Sequence, residues 1–373
     1  IVMEEEAAEM DEVIVTGYFQ KSKESFTGSE VTINTEELKK VGALNMIQAL
    51  NAFDPSIRLN ESLTQGSNPN VIPDITIRGE NGFDLRANAD DATTNPNAPL
   101  YILDGVEVSA ERIYDMDLNR VESTTILKDA SATALYGSRG ANGVIVITTI
   151  RPKAGQIRIN LNANYNVSIP DLRDYNLMNA AEKLEFERLS GRYDDFSSYS
   201  NNVVLQKLYN ERLAEVIRGV DTYWMSEPLR TVLNHSHNIY IDGGDNAMRY
   251  GLGIGYNNSN GVMKGSDRNV ISANIDLTYR KKSLLFSNKF SLDVTHTERE
   301  PVAFSKFAQA NPYFRKKLEN GYIPLWLEDS GTQQNSAYIK NPLYEWTIKN
   351  TNIGNTIQLR DNFSIEWRIF TSL

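Results

Sequence analysis

Apolar and polar side chains alternate with a period of two over long stretches of the second half of the chain. Ile157, Ile159, Leu161, Ala163, Tyr165 and Val167 alternate with Arg158, Asn160, Asn162, Asn164, Asn166 and Ser168. The same grammar returns at Met248 to Tyr256, Ile271 to Tyr279, Leu284 to Val294 and Ile357 to Ile369, with a weaker run at Asn238 to Asp242. A period of two puts alternate residues on opposite faces of a strand. Each run is roughly ten residues or more, longer than the strands of ordinary globular sheets and right for a tilted membrane strand. The connections alternate too: 168–231 and 298–353 are long, 258–268 is intermediate, and 243–246 and 281–283 are short. Short turns on one side and long loops on the other are the pattern of an outer-membrane barrel. A soluble sandwich with one wet face per sheet is the alternative. Helices are expected inside the long connections at Asn179 to Leu189 and Val203 to Arg218.

Residues 30–150 follow a different pattern. Asn34 or Thr35 can cap a helix that Glu36 and Glu37 favour at its positive end. Leu44, Ile47 and Leu50 recur at helical spacing until Pro55. Short strands are expected at Ile75 to Arg78, Leu100 to Leu103, Val121 to Leu127 and Val144 to Thr149, with Asp104-Gly105 as a turn and a short helix at Ala130 to Tyr136. This half reads as a compact α+β unit.

The chain has 373 residues and a formal net charge of -10, which argues against a nucleic-acid partner. It contains no cysteine, so disulfide frameworks, zinc ribbons and cysteine nucleophiles are excluded. No apolar run is long enough for a transmembrane helix, which leaves a β-barrel open. The chain starts at Ile1 without a signal sequence, as a processed or trimmed product would.

Chemistry-bearing clusters are few. Gly137-Ser138-Arg139-Gly140-Ala141-Asn142-Gly143 lacks the lysine and following helix of a phosphate loop, and reads as a tight turn packing one unit on the other, with Arg139 and Lys128 reaching the strand wall. Arg78 and Asp104 read as ion-pair partners inside the α+β unit. Asn81, Asp84, Arg86, Asn88, Asp90 and Asp91 lie in a polar stretch. The bland reading is a disordered loop, and the functional one a ligand-contacting loop. The three aspartates fit no EF-hand spacing. His235 and His237 share a strand face, too few for a metal site, and are expected on the polar side. Tyr165, Tyr240, Tyr256, Tyr279 and Trp367 fit an aromatic girdle or lipid face. No nucleophile, base and orienting group cluster, so no catalytic residue, metal or cofactor is expected. Asp11-Glu12-Val13-Ile14-Val15-Thr16-Gly17-Tyr18 is a short β-prone run able to add to another protein's sheet.

Three of these segments carry a resemblance. Asp74 to Gly79 (D-I-T-I-R-G), Pro99 to Val106 (P-L-Y-I-L-D-G-V) and Leu127 to Thr149 (L-K-D-A-S-A-T-A-L-Y-G-S-R-G-A-N-G-V-I-V-I-T-T) resemble the plug signatures of the SusC/RagA family of TonB-dependent outer-membrane transporters of Bacteroidetes. Residues 11–18 resemble that family's TonB box, with Phe19 where a glycine is common. The resemblance implies an α+β plug domain followed by antiparallel transmembrane β-barrel strands. The expected division is 1–29 with the TonB box, 30–152 as plug and 153–373 as the opening of the barrel. Family barrels have about 22 strands. About six are counted here, so the barrel is incomplete and the chain reads as the N-terminal part of a longer protein.

The resemblance implies import of a large nutrient, with glycan the first expectation and peptide the alternative. TonB, with ExbB and ExbD, would pull on Asp11 to Tyr18, and a SusD-like lipoprotein would act as lid. Outer-membrane lipid would surround the wall, and pairs of transporter and lid could dimerise. The bacterial outer membrane is the expected location. A soluble β-rich adhesion module and a signalling receptor of the same architecture are the competing readings.

Overall fold

The computed structural model describes residues 13–15, 20–22, 30–40, 45–60, 67–77, 97–129, 133–299, 302–329, 338–348 and 352–367. Two short strands, β1 (Val13–Val15) and β2 (Gln20–Ser22), pair antiparallel at the start. The α+β unit then comprises β3 (Glu30–Asn34), α1 (Thr35–Lys40), α2 (Met46–Phe53), β4 (Ile57–Asn60), β5 (Asp74–Ile77), β6 (Leu100–Leu103), β7 (Val106–Val108), α3 (Ala110–Tyr114), β8 (Val121–Leu127) and β9 (Val144–Thr149). Its main sheet has five strands in the order β3-β8-β9-β6-β7, with β6 and β9 parallel and the other pairs antiparallel.

Capping explains where its helices begin. Asn34 Oδ1 accepts the Glu37 amide at 3.0 Å, and Glu37 Oε2 accepts the Asn34 amide at 3.1 Å. Asn45 Oδ1 accepts the Gln48 amide at 2.9 Å, and Pro55 follows the end of α2. The amphipathic helices turn Leu38, Ile47 and Leu50 onto Ile33, Ile126, Ile145 and Ile147 of the sheet. This is an apolar core of the usual kind. The helix expected over Ala130 to Tyr136 is instead a 3₁₀ stretch at Ala134–Gly140, and 130–132 lie outside the described residues. Gly137, at φ 59°, breaks the helical run there.

The second part is one six-stranded antiparallel sheet of β10 (Gly155–Ser168), β11 (Val232–Gly244), β12 (Met248–Asn260), β13 (Asp267–Lys281), β14 (Leu284–Glu298) and a last strand, Ile353–Trp367. Between β14 and that strand a small hairpin pairs β15 (Trp326–Asp329) with β16 (Tyr338–Lys340), which makes the last strand β17. Every wall strand has 13 to 15 residues. The weak run at Asn238 to Asp242 is the centre of the full strand β11. His235 and His237 had masked its alternation.

The faces of this sheet are inverted relative to a soluble protein. Leu161 is 70% exposed, Ile254 67% and Leu359 66%, whereas Asn274, Asp276 and Asp293 are 4%, 3% and 5% exposed. Among the polar residues on the outer face, Asn288 and Asp361 hydrogen-bond each other at 2.6 Å. On the inner face Gly251, Gly253 and Gly255 make room, since a Cβ there would run into Tyr240, Asn274 and Asn238 side chains.

Connection length sorts by end. The turns after β11 and β13 are tight, and the long connections after β10 and β14 emerge together at the other end. These two connections build a core of their own. Helices at Ala180–Leu189 and Tyr199–Ile217 bring Leu184, Tyr193 and Trp224 against Phe307, Tyr313 and Phe314. The sequence predicted both helices within a few residues, but not this shared core.

Candidate functional site

The plug-like unit and the strand wall meet along a column of charges. It begins with a turn. β6 and β7 are joined by Asp104-Gly105, with φ of 50° and 85°. Two residues in left-handed conformation make the mirror-image turn that suits hairpin twist, which is why Asp-Gly stands there. The turn aims the Asp104 carboxylate outward. It accepts the Thr149 amide at 3.0 Å and the Thr149 hydroxyl at 2.8 Å, and pairs with Lys289 of the wall at 2.9 Å. Lys289 also donates to the Thr149 hydroxyl at 2.7 Å. Asp104 thus faces the wall; Arg78, expected to pair with it, lies outside the described residues.

Helix α3 supplies the next rung. Ser109 caps it, and one turn carries Glu111, Arg112 and Asp115 to the wall. Arg112 meets Asp293 at 2.5 Å, with each side chain 7% exposed. Arg268 donates to Asp115 through two nitrogens, at 2.9 and 2.6 Å, and to Glu111 at 2.7 Å. This two-pronged geometry suits a planar guanidinium and a carboxylate. Burial pushes the Asp115 carboxyl above its ordinary value even though Arg268 pulls it down. Nearer the short-turn end Arg120 stands 3.8 Å from Asp276. At the long-loop end Asn70 donates to the Glu298 carbonyl at 2.5 Å, and Ser67 accepts the Val262 amide at 2.8 Å.

Other expected contacts are redrawn. Lys128 does not reach the wall. It pairs with Asp54 at 2.6 Å inside the plug-like unit. Burial works against the Asp54 charge, but Lys128 and Ser56 hold its carboxyl below the usual range. Arg139 likewise pairs internally, with Glu107. Gly143, at φ 98°, packs on Ile77 of the same unit, where a Cβ would sit 2.9 Å from Cδ1. The glycine-rich turn therefore packs the unit on itself rather than on the wall. Tyr240, expected on the lipid side, lies on the inner face, its hydroxyl 3.3 Å from Asp276. His235 and His237, expected inside, lie on the outer face with Tyr165 and Tyr256 at ring separations of 5.2 to 6.3 Å. Strand parity decides this: both share the register face of Ile239 and Ile241. Tyr165, Tyr256, Tyr279 and Trp367 do occupy the exposed outer face.

The shared core of the long connections encloses its own ion network. Arg212, 4% exposed, lies between the rings of Tyr193 and Tyr313, whose centroids are 5.3 and 5.0 Å away. It pairs with Glu328 and donates to the Tyr193 hydroxyl at 2.5 Å. Tyr313 donates to Glu187 at 3.0 Å. Burial, then the Glu187 hydrogen bond, push the Tyr193 phenol up to about 12.

Of the expected TonB segment, Val13, Ile14 and Val15 form β1, with Val13 opposite Ser22, Ile14 opposite Lys21 and Val15 opposite Gln20. Asp11, Glu12, Thr16, Gly17 and Tyr18 lie outside the described residues, as do Asn81, Asp84, Arg86, Asn88, Asp90 and Asp91. The residues that sequence reasoning did not single out are Glu111, Arg112, Asp115, Arg268, Lys289 and Asp293. The last two stood among the polar positions of an alternating strand, so their inward direction was readable, but not their partners.

The TonB-dependent Receptor Plug Domain model matches residues 22–144. The TonB-dependent receptor SusC of Bacteroides thetaiotaomicron is 30% identical over 284 residues, covering 74% of this chain and 25% of that protein. The TonB-dependent receptor P26 of Formosa agariphila is 26% identical over 288 residues, covering 73% of this chain and 26% of that protein. The chain thus spans about a quarter of the length of these relatives. Among solved structures, the RagAB peptide importer in the 'closed-closed' state superposes with a TM-score of 0.72 at 21% identity, over 92% of this chain and 39% of that one. A second structure, of the RagAB peptide transporter, gives a TM-score of 0.71, over 92% of this chain and 40% of that one.

Proposed function

We propose that this chain, which belongs to the SusC/RagA family of TonB-dependent receptors, supplies the plug and six wall strands of an outer-membrane nutrient importer. The observation that carries the reading is the inverted sheet. Its apolar face is exposed, its polar face is covered by the plug, and charge pairs join plug to wall. Such a wall is stable with lipid outside and a polar interior. A soluble adhesion module would leave these leucines and isoleucines facing water.

The mechanism is mechanical. Nutrient binds at the long-loop end, where the connections after β10 and β14 form their own core. A SusD-like lipoprotein closes over it. TonB adds a strand to Asp11 to Tyr18, with Val13 to Val15 as the paired edge, and pulls. ExbB and ExbD couple that pull to the inner-membrane proton gradient. Tension loads the ion pairs between plug and wall, because those contacts must part if the plug is to move.

Glycan is our first reading of the cargo, from the family resemblance. Peptide is the second, favoured by the likeness to structures titled as a peptide importer and a peptide transporter. In either case the loop containing Asn81, Asp84, Arg86, Asn88, Asp90 and Asp91 would contact ligand.

The test is deletion of residues 11–18 from the full-length receptor in its own membrane. Uptake should be abolished while ligand binding persists. Uptake that survives the deletion removes the TonB assignment. Native mass spectrometry of the same receptor in mild detergent separates the cargoes: sugar-spaced masses support glycan, and a ladder of peptide masses supports peptide.

A further inference from the structure

The outer faces of β12, β13 and β14 change character on one row. On β12 the apolar series ends at Tyr256 and gives way to Asn258 and Asn260. On β13 it ends at Ile271, before Asn269 and Asp267. On β14 it ends at Val294, before His296 and Glu298. Asn258 stands opposite Asn269, and Asn269 opposite His296, so three adjacent strands switch at the same register step. Each of the three has a paired strand on both sides, so the row does not depend on where the sheet's edges lie.

Asparagine is a poor strand residue, and an amide is costly in hydrocarbon. Here the amides gather. Asn258 Nδ2 donates to Asn269 Oδ1 at 2.5 Å, and the Tyr256 hydroxyl reaches up to the same oxygen at 3.4 Å. A tyrosine with its ring on the apolar side and its hydroxyl among polar groups is what a membrane interface selects. Beyond the row stand full charges, Asp267 paired with Arg230, and Glu298. The opposite rim is aromatic too: Tyr279 lies 6.3 Å from Phe286, and Lys281 follows. Ten positions separate Asn269 from Tyr279. At about 3.3 Å each they cover about 33 Å of strand, or about 25 Å of height at the usual tilt, which is the apolar band of an outer-membrane barrel.

We propose that this row is where the wall leaves hydrocarbon: the headgroup layer of the outer leaflet contacts Tyr256, Asn258, Asn269 and His296. The inference rests on the lipid-facing reading of the sheet and adds where the bilayer ends on it. It also fixes the depth of the plug. Asn70 donates to the Asp267 and Glu298 carbonyls, at 3.3 and 2.5 Å, on the first step beyond the row. The plug therefore fills the wall up to headgroup level, and the folded module of the long connections stands outside the bilayer.

The experiment uses the full-length receptor in phosphatidylcholine vesicles. This segment has no cysteine, and any elsewhere in the receptor is replaced by serine. A nitroxide spin label is placed at Asn258→Cys and Asn269→Cys on the row. A third goes at Ile275→Cys in mid-band, or at its register partner Leu252→Cys should that variant fail to fold. Power saturation compares collisions with oxygen, which concentrates in hydrocarbon, and with a neutral nickel chelate, which stays in water. The mid-band label should favour oxygen, and the labels on the row should meet the chelate several-fold more often. Row labels as protected as the mid-band label overturn the proposal and leave the lipid-facing reading standing. A mid-band label as open to the chelate as the row overturns both.

Discussion

The plug and the wall follow opposite rules of burial. In the plug, Ile47, Ile126, Ile145 and Ile147 are fully buried, and charges such as Arg139 stay near the surface. In the wall, Asp276 and Asp293 are buried, and Ile254 and Leu359 face outward. One chain thus carries two cores written for two solvents. Hydrophobic burial from water organises the plug. On the proposed reading the wall is held by its backbone ladder, with lipid against its apolar face and the plug on the other. What joins them is neither apolar core but a set of charge pairs, which hold strongly when matched and cost heavily when half is removed.

That contrast can be broken most sharply at Arg268. Arg268→Ala leaves Asp115 and Glu111 without their partner at the interface. A loss on the order of 3–5 kcal/mol in plug seating is expected. Faster protease cleavage of the plug, with the wall strands still protected, is the readout. A wall that becomes equally sensitive would mean that plug and wall are one cooperative unit.

The two solvents are separated by a pair of substitutions. Ile254→Arg, on the outer face, should cost about 2–4 kcal/mol if that position sits near the bilayer midplane. Ile145→Ala in the plug should cost a similar ~2–5 kcal/mol through a cavity. The first should impair membrane insertion, seen as loss of heat-modifiable mobility on gels. The second should leave insertion intact and only loosen the plug. An Ile254→Arg protein that inserts normally would contradict the lipid-facing assignment.

A smaller effect is expected at Gly253. Gly253→Ala meets the Asn274 side chain on the inner face. Overpacking of about 1 kcal/mol or slightly more should follow, and Asn274→Ala in the same protein should relieve it. Failure of that rescue would mean that backbone freedom, not space, sets the glycine.

The smallest effect is the acid response of the plug. The Asp54 carboxyl is held below its ordinary value of 3.8. Its contribution is therefore present above that pH and lost as pH falls through the depressed value. Asp54→Asn should flatten the plug's acid unfolding below about pH 4 without touching the wall. An unchanged acid profile would show that the Lys128–Asp54 pair adds nothing net.

Much of this was legible in one dimension. Periodicity alone found the wall strands, because a strand's side-chain period is set by backbone geometry. It also found the helices of the long connections, where Asn179 caps Ala180–Leu189 with a complete capping box. Loop lengths put the two long connections at one end of the wall. Asp104-Gly105 announced its turn, since only that turn tolerates left-handed backbone at both positions. Residues 11–18 and 81–91 were singled out by residue type, and there the structure adds only the short β1 strand and its partner β2.

What the sequence could not decide is which charges meet. Arg268 and Asp115 are separated by 153 positions, and Lys289 and Thr149 by 140. Nothing local distinguishes Lys128, which turns inward to Asp54, from Lys289, which reaches the plug. The same holds for Tyr240 and His237, whose faces follow from strand parity once the register is known and from composition not at all. Local patterns are set by short-range sterics and hydrogen bonding, and those travel with the sequence. Ion pairs, shared cavities and the common core of two distant loops exist only once the chain has closed on itself, so tertiary structure alone decides them.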